Sequence, residues 1–362
     1  MTAATSTRAP WWAWTWPLLA VLILSIHVIF KPGGFFVGAE AFALIATVFA
    51  AVYHAEVVAH RVGEPFGTLV LALAVTVIEV ALIVSMMLTG GGAAATLARD
   101  TVFSAVMIVC NGIVGLCLLA GGVRHREQGF QLPGTNAALS VLIALTTLTM
   151  VFPNVTTTSP GPTFSPSQLL FAAVVSFILY SSFLFVQTVR HRDYFLPVGE
   201  TGEEIHAPQP PNRTALISAG LLLLSLVSVV ALGKSLTPPL ERAIENVGAP
   251  TTVVGIVIAG LVLLPEGLAS FRAATANRLQ TSMNLALGSA LASIGLTIPA
   301  VACVSLLLRK PLTLGLATKE ETLLAVTLIV SVLTLGTGRT TVLQGIVHLV
   351  LFAAFLFLAV VP

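Results

Sequence analysis

The chain reads as an all-α polytopic membrane protein of about eleven transmembrane helices, built as two inverted five-helix repeats behind one extra N-terminal helix. Three observations predict this class. Hydrophobic residues fill 56% of the 362 positions and Asp, Glu, Lys and Arg only 9%, against about 25% charged in an ordinary soluble domain. Apolar runs repeatedly exceed 18 residues, the length that crosses about 30 Å of hydrocarbon at 1.5 Å per residue. A glutamate recurs at a matching place in one run of each half, Glu79 and Glu266.

The elements follow from the Pro, Gly and charge clusters that punctuate the runs. The first span covers 17–30; Trp11, Trp12, Trp14 and Trp16 ahead of it suit an interfacial aromatic belt. Arg8 before that run also resembles a secretory signal, but no small-x-small cleavage site follows, so a retained span is expected. Spans two to six cover 34–60, 64–89, 98–121, 136–152 and 167–190. Spans seven to eleven cover 213–232, 249–271, 280–308, 320–336 and 339–361. Between the groups lies the most polar stretch, with Glu200, Glu203, Glu204 and four prolines. The expected organisation is therefore an N-terminal helix over 1–33, a first repeat over 34–190, a linker over 191–212 and a second repeat over 213–362.

Counting Lys and Arg on alternate sides gives ten against seven, which places the N-terminus and the linker in the cytoplasm and the uncharged 154–167 loop outside. The lipid bilayer is thus the expected partner. With net charge +2 and no basic block longer than two residues, nothing suggests a nucleic-acid surface. Cys110, Cys117 and Cys303 lie inside apolar runs without zinc or disulfide spacing. No His-Glu-x-x-His pair or Gly-x-Ser-x-Gly elbow occurs, so neither an intramembrane enzyme nor a cofactor is expected.

Five spans per half is an odd number, and it forces the halves into opposite orientations. Glu79 stands fifteen residues after Glu64 at the head of span three, and Glu266 fifteen after Thr251 at the head of span eight. Each such run is followed by one with a small or polar patch deep in it: Cys110-Asn111-Gly112, then Asn284, Gly288-Ser289 and Ser293-Ile294-Gly295. Inverted repeats place substrate near the midplane, where interrupted helices expose carbonyls and helix ends. Pro265 and Pro299 are interruptors of that kind, each removing an amide donor and freeing a carbonyl four residues back.

A glutamate at the centre of a membrane helix costs about 2.5 kcal/mol or more, so it is partnered, protonated or wet. Neutral glutamates used as interhelical glue are the plainer alternative, and that alternative leaves the matching positions unexplained. Two facing glutamates supply two charges and up to four oxygens, a site that one divalent cation or two protons neutralises. Calcium asks for six to eight oxygens at about 2.3–2.6 Å, so freed carbonyls and side chains such as Thr76, Asn111, Ser289 and Ser293, beside Gly288, would complete the shell. Elsewhere, Glu56 reads as a proton relay or a solvated helix end, and His54 as a relay or pH sensor. Glu40 reads as surface-solvated, Arg99-Asp100 as an interfacial pair, and His27 and His348 as packed and hydrogen-bonded.

These residues carry a family resemblance. Arg61-Val62-Gly63-Glu64-Pro65-Phe66-Gly67-Thr68 leading into Val77-Ile78-Glu79-Val80 resembles the first repeat of the calcium/cation antiporter superfamily, in its bacterial ChaA-like branch. Leu264-Pro265-Glu266, Ala276-Asn277-Arg278-Leu279-Gln280-Thr281-Ser282-Met283-Asn284-Leu285 and Gly288-Ser289-Ala290-Leu291-Ala292 resemble the second. The resemblance implies a bacterial inner-membrane protein with eleven spans, one acidic residue per repeat, and exchange of cytoplasmic Ca2+, or alternatively of Na+ or K+, for H+. Ala74 to Glu79 lacks the Gly-Asn pair of the plant and fungal calcium exchangers, which makes the implied ligand set poorer in amides.

Overall fold

The computed structural model describes residues 10–30, 35–63, 66–89, 95–196, 209–246, 248–250 and 252–361. Glu64, Thr251 and the acidic part of the linker lie outside the described residues. Eleven long helices run α1 Trp11–Phe30, α2 Phe35–Val62, α3 Phe66–Thr89, α4 Leu97–His125, α5 Leu132–Val155, α6 Pro166–Arg190, α7 Asn212–Asn246, α8 Thr252–Thr275, α9 Leu279–Leu308, α10 Thr318–Leu335 and α11 Val342–Val360. Ten of these are long and apolar enough to cross a membrane; the other, α10, opens on Lys319, Glu320 and Glu321. Exposed Leu, Val, Ile and Phe side chains along the helices form the lipid-facing surface of an integral membrane protein.

Among the described residues four helices contain π-helical turns: Ile108–Ile113 in α4, Thr147–Val151 in α5, Val186–Arg190 at the end of α6, and Ser293–Thr297 in α9. Proline explains two of them. Pro153 and Pro299 each stand two residues beyond a π turn, where the missing amide leaves a carbonyl inside that turn without its helical donor. Helix α7 continues through Pro238 and Pro239 for 35 residues, well past the expected end at 232. Ser235 and Thr237 donate to the carbonyls of Leu232 and Gly233 just ahead of that proline pair.

The chain forms two compact units, residues 1–78 with 206–239 and residues 79–205 with 240–362, each drawing on both halves of the sequence. In the first, small side chains bring α1 and α2 together: Ala13, Ala20, Ala43, Ala50 and Ala55 have no exposed surface. Trp12 and Trp16 turn inward, edge-on to Tyr53 and Phe42 at 5.5 and 5.3 Å. Glu40 corrects the sequence expectation, because it is 1% exposed rather than solvated. Its carboxylate pairs with His27 of α1 and accepts the Ser235 hydroxyl of α7 at 3.2 Å.

In the second unit α4 is the central helix, with 83% of its apolar window buried. Helices α8 and α11 reach it through glycines. A Cβ at Gly255 would stand 2.9 Å from the Asp100 carbonyl carbon, and one at Gly345 would stand 2.5 Å from the Leu119 amide nitrogen. The loops are hydrogen-bonded too. Gln128–Gly129 and Arg339–Thr340 form a two-residue antiparallel ladder. At the opposite end of α4, the non-helical segment before α10 donates from Thr313 to Ala95, from Gly315 to Pro162 and from Leu316 to Met150. Arg99 ties that segment to Asp100, donating to Gly315 O at 3.1 Å and to Asp100 Oδ1 at 2.8 Å. These bonds satisfy backbone that helices leave open.

Candidate cation site

Glu79 projects from α3 and is 2% exposed. Its Oε2 accepts two hydroxyl hydrogen bonds from α9, from Ser293 at 3.0 Å and Thr297 at 2.9 Å. Both donors lie in the π turn Ser293–Thr297, and their four-residue spacing stacks them on one side of the helix. Thus a glutamate from the first half of the sequence meets the interrupted helix of the second. Oε1 is buried and has no hydrogen-bond partner among the described residues. An ionised carboxylate oxygen left in that state costs about 1–3 kcal/mol or more; a proton or a cation on Oε1 removes the cost.

Ser289 stands one turn before Ser293, half-buried, and Gly288 beside it faces open space: a Cβ there would meet nothing within 4 Å. Thr76, three residues before Glu79 on α3, is buried and donates to Ala72 O at 2.8 Å.

Glu266 is half-buried on α8 directly after buried Pro265. Helix α8 packs on the π turn of α4, with Gly267 against Ile113, where a Cβ would come within 3.3 Å of the Ile113 side chain. The two glutamate helices therefore share a design in which each half's carboxylate helix packs on, or bonds to, the π turn of the other half. Asn111 sits in the α4 π turn with no exposed surface. Its Nδ2 donates to Thr327 at 2.8 Å, and its Oδ1 lies 3.3 Å from His348 Nδ1. His348 is packed and hydrogen-bonded as the sequence suggests.

His54 is buried, with Nε2 2.9 Å from Ala13 O, whereas Glu56 two residues on is exposed, so the two point to different sides of α2. Asn284 is engaged at the helix ends, donating to Phe195 O at 2.6 Å and accepting from Gln280 at 2.8 Å. Thr297 is the site residue that sequence reasoning missed. The sequence holds only a weak hint of it, its place four residues after Ser293 and two before Pro299. Among the described residues no cluster of three or more His, Cys, Asp or Glu side chains could hold a metal. A cation at Glu79 would therefore be held by that carboxylate with hydroxyl and carbonyl oxygens.

The sequence matches the sodium/calcium exchanger protein family over residues 32–189 and 217–361. It is 50% identical to the candidate ionic transporter y4hA of Sinorhizobium fredii, over 99% of this chain and 98% of the relative. It is 38% identical to the sodium-potassium/proton antiporter ChaA of Escherichia coli, over 86% of this chain and 85% of that one. The fold is that of native YfkE, with a TM-score of 0.76 over 97% of this chain and all of the other, at 15% identity. The chain belongs to the sodium/calcium exchanger family, within the ChaA-like branch of the calcium/cation antiporter superfamily.

Proposed function

We propose that this antiporter exchanges monovalent Na+ or K+ for protons, with Glu79 and Glu266 as the groups that hold cation or proton in turn. The observation that carries the reading is the Glu79 carboxylate, with one oxygen held by Ser293 and Thr297 and the other buried and open. Protonation turns that open oxygen into a neutral hydroxyl. A cation neutralises the same charge and can use the lone pairs of the Ser293 and Thr297 hydroxyl oxygens, whose hydrogens stay on Oε2. Either occupant lets the site cross between its two exposures, and an empty, charged site does not cross. Coupled exchange then needs only competition for one set of oxygens.

Calcium/proton exchange is the second reading. It is favoured by the pair of carboxylates, which balances a divalent charge and with the two hydroxyls offers up to six oxygens, the lower end of the six to eight that calcium takes. The name of the 38% identical relative supports monovalent cations instead. The Lys and Arg asymmetry supports an N-terminus in the cytoplasm, and the bacterial relatives support a bacterial inner membrane. The test is cation-induced collapse of a preset pH gradient in proteoliposomes, run with Na+, K+ and Ca2+ on wild type, Glu79→Gln and Glu266→Gln. The reading expects Na+ or K+ to collapse the gradient and both variants to be silent. Full activity in either variant overturns it.

A further inference from the structure

Three helices of the second unit converge on one buried carboxamide. Asn111 of α4, Thr327 of α10 and His348 of α11 each have 0% exposure. The donors fix which way the amide faces. The Thr327 hydroxyl donates to Met107 Sδ at 3.5 Å, which leaves its oxygen to accept Asn111 Nδ2 at 2.8 Å. With Nδ2 committed to α10, Oδ1 faces His348, and the 3.3 Å contact requires the N–H on Nδ1. Both ends of the amide are thus engaged by the protein. His348 comes this close because α11 rides on a glycine seam: a Cβ at Gly115 would stand 3.1 Å from the His348 Cβ.

This amide lies in the π turn on which the Glu266 helix packs, the counterpart of the α9 turn whose hydroxyls reach Glu79. Hydroxyls are offered to one carboxylate, while the carboxamide in the corresponding turn is engaged by α10 and α11. We propose that Thr327 and His348 are specificity-determining residues: by engaging both ends of Asn111 they withhold an oxygen from the cation. A shell short of one oxygen penalises calcium, which asks for six to eight, more than a proton or a monovalent ion. The proposal rests on the reading of Glu79 and Glu266 given above.

The test uses full-length protein in proteoliposomes and reads the half-saturating Ca2+ concentration divided by that for Na+, from pH-gradient collapse. Thr327→Val and His348→Phe release the amide from opposite ends, so a folding defect in one leaves the other to decide. Each is expected to lower the ratio about fivefold, the worth of one hydrogen bond returned to ligand duty. Thr327→Ser, which keeps the hydroxyl, should retain the wild-type ratio. Adding Asn111→Ala to Thr327→Val should abolish the gain. An unchanged ratio in monodisperse single variants overturns the proposal, as does a shift that persists without Asn111. Absence of any cation-driven proton movement in wild type would instead overturn the transport reading, and this inference with it.

Discussion

Replacing Thr297 by valine removes one of the two hydroxyls on Glu79 Oε2 while keeping the branched shape of the side chain. Thr297 is fully buried, so water does not replace the lost donor. A hydrogen bond to a charged group contributes about 1.5–3 kcal/mol, and about 1.4 kcal/mol is tenfold in an equilibrium. Because Ser293 still donates to the same oxygen, the lower end applies, and a loss of about tenfold is expected. The loss falls on the ionised carboxylate, which binds the cation, and spares the protonated one. Thr297→Val should therefore raise the half-saturating cation concentration by up to about tenfold at acid pH, where the strengthened proton competes, with the effect fading at alkaline pH and little change in the maximal rate. Pairing it with Ser293→Ala should cost less than the product of the single effects, since both hydroxyls serve one atom. The assay is pH-gradient collapse in proteoliposomes across a cation titration at several pH values. Half-saturation within about twofold of wild type at every pH, well short of the hydrogen-bond estimate, would refute the assignment of Thr297 to the site.

Two further predictions concern the scaffold. Gly345→Ala sets a Cβ 2.5 Å from the Leu119 amide nitrogen, a backbone atom that cannot step aside, so α11 must lift from α4. A cost of about 1–3 kcal/mol is expected, read as a lower melting temperature in detergent, and an unchanged melting temperature would contradict the seam. Arg99→Ala strips the cationic partner from Asp100, which is 6% exposed, and cuts the tie to Gly315. Breaking a buried pair in this way costs about 3–5 kcal/mol, so monodisperse yield should collapse; Asp100→Asn in the same background, which removes the stranded charge, should restore part of it.

How much of this was legible in the sequence depends on the range of the interaction. Run length and punctuation locate all eleven helices, because spanning is a local property of composition. Glu79 announces itself as a charge in an apolar run, and Ser293 as part of a polar patch. Thr297 does not, since one threonine in such a run usually back-bonds to its own helix, as Thr76 and Thr146 do here. The Asn111 contacts join residues 216 and 237 positions apart, and no periodicity encodes those partners. Glu40 was misjudged for the same reason: its place near a helix end suggests solvent, while His27 and Ser235, supplied by two other helices, bury it. The π turns were only partly visible: Pro299 marks one, Pro153 marks another that the sequence reading passed over, Pro265 lies inside an unbroken α8 instead of interrupting it, and the turn around Asn111 has no proline at that offset.

The most direct measurement of the central claim is proton release on cation binding. Purified wild-type protein in weak buffer receives a pulse of NaCl, KCl or CaCl2 against a choline chloride control, and a pH dye records the protons displaced. The account predicts release by a transported cation that shrinks as the starting pH rises and fewer protons remain on the site, and that disappears in the Glu79→Gln/Glu266→Gln double variant. Release that persists in that variant, or no release by any cation at any pH, would contradict it.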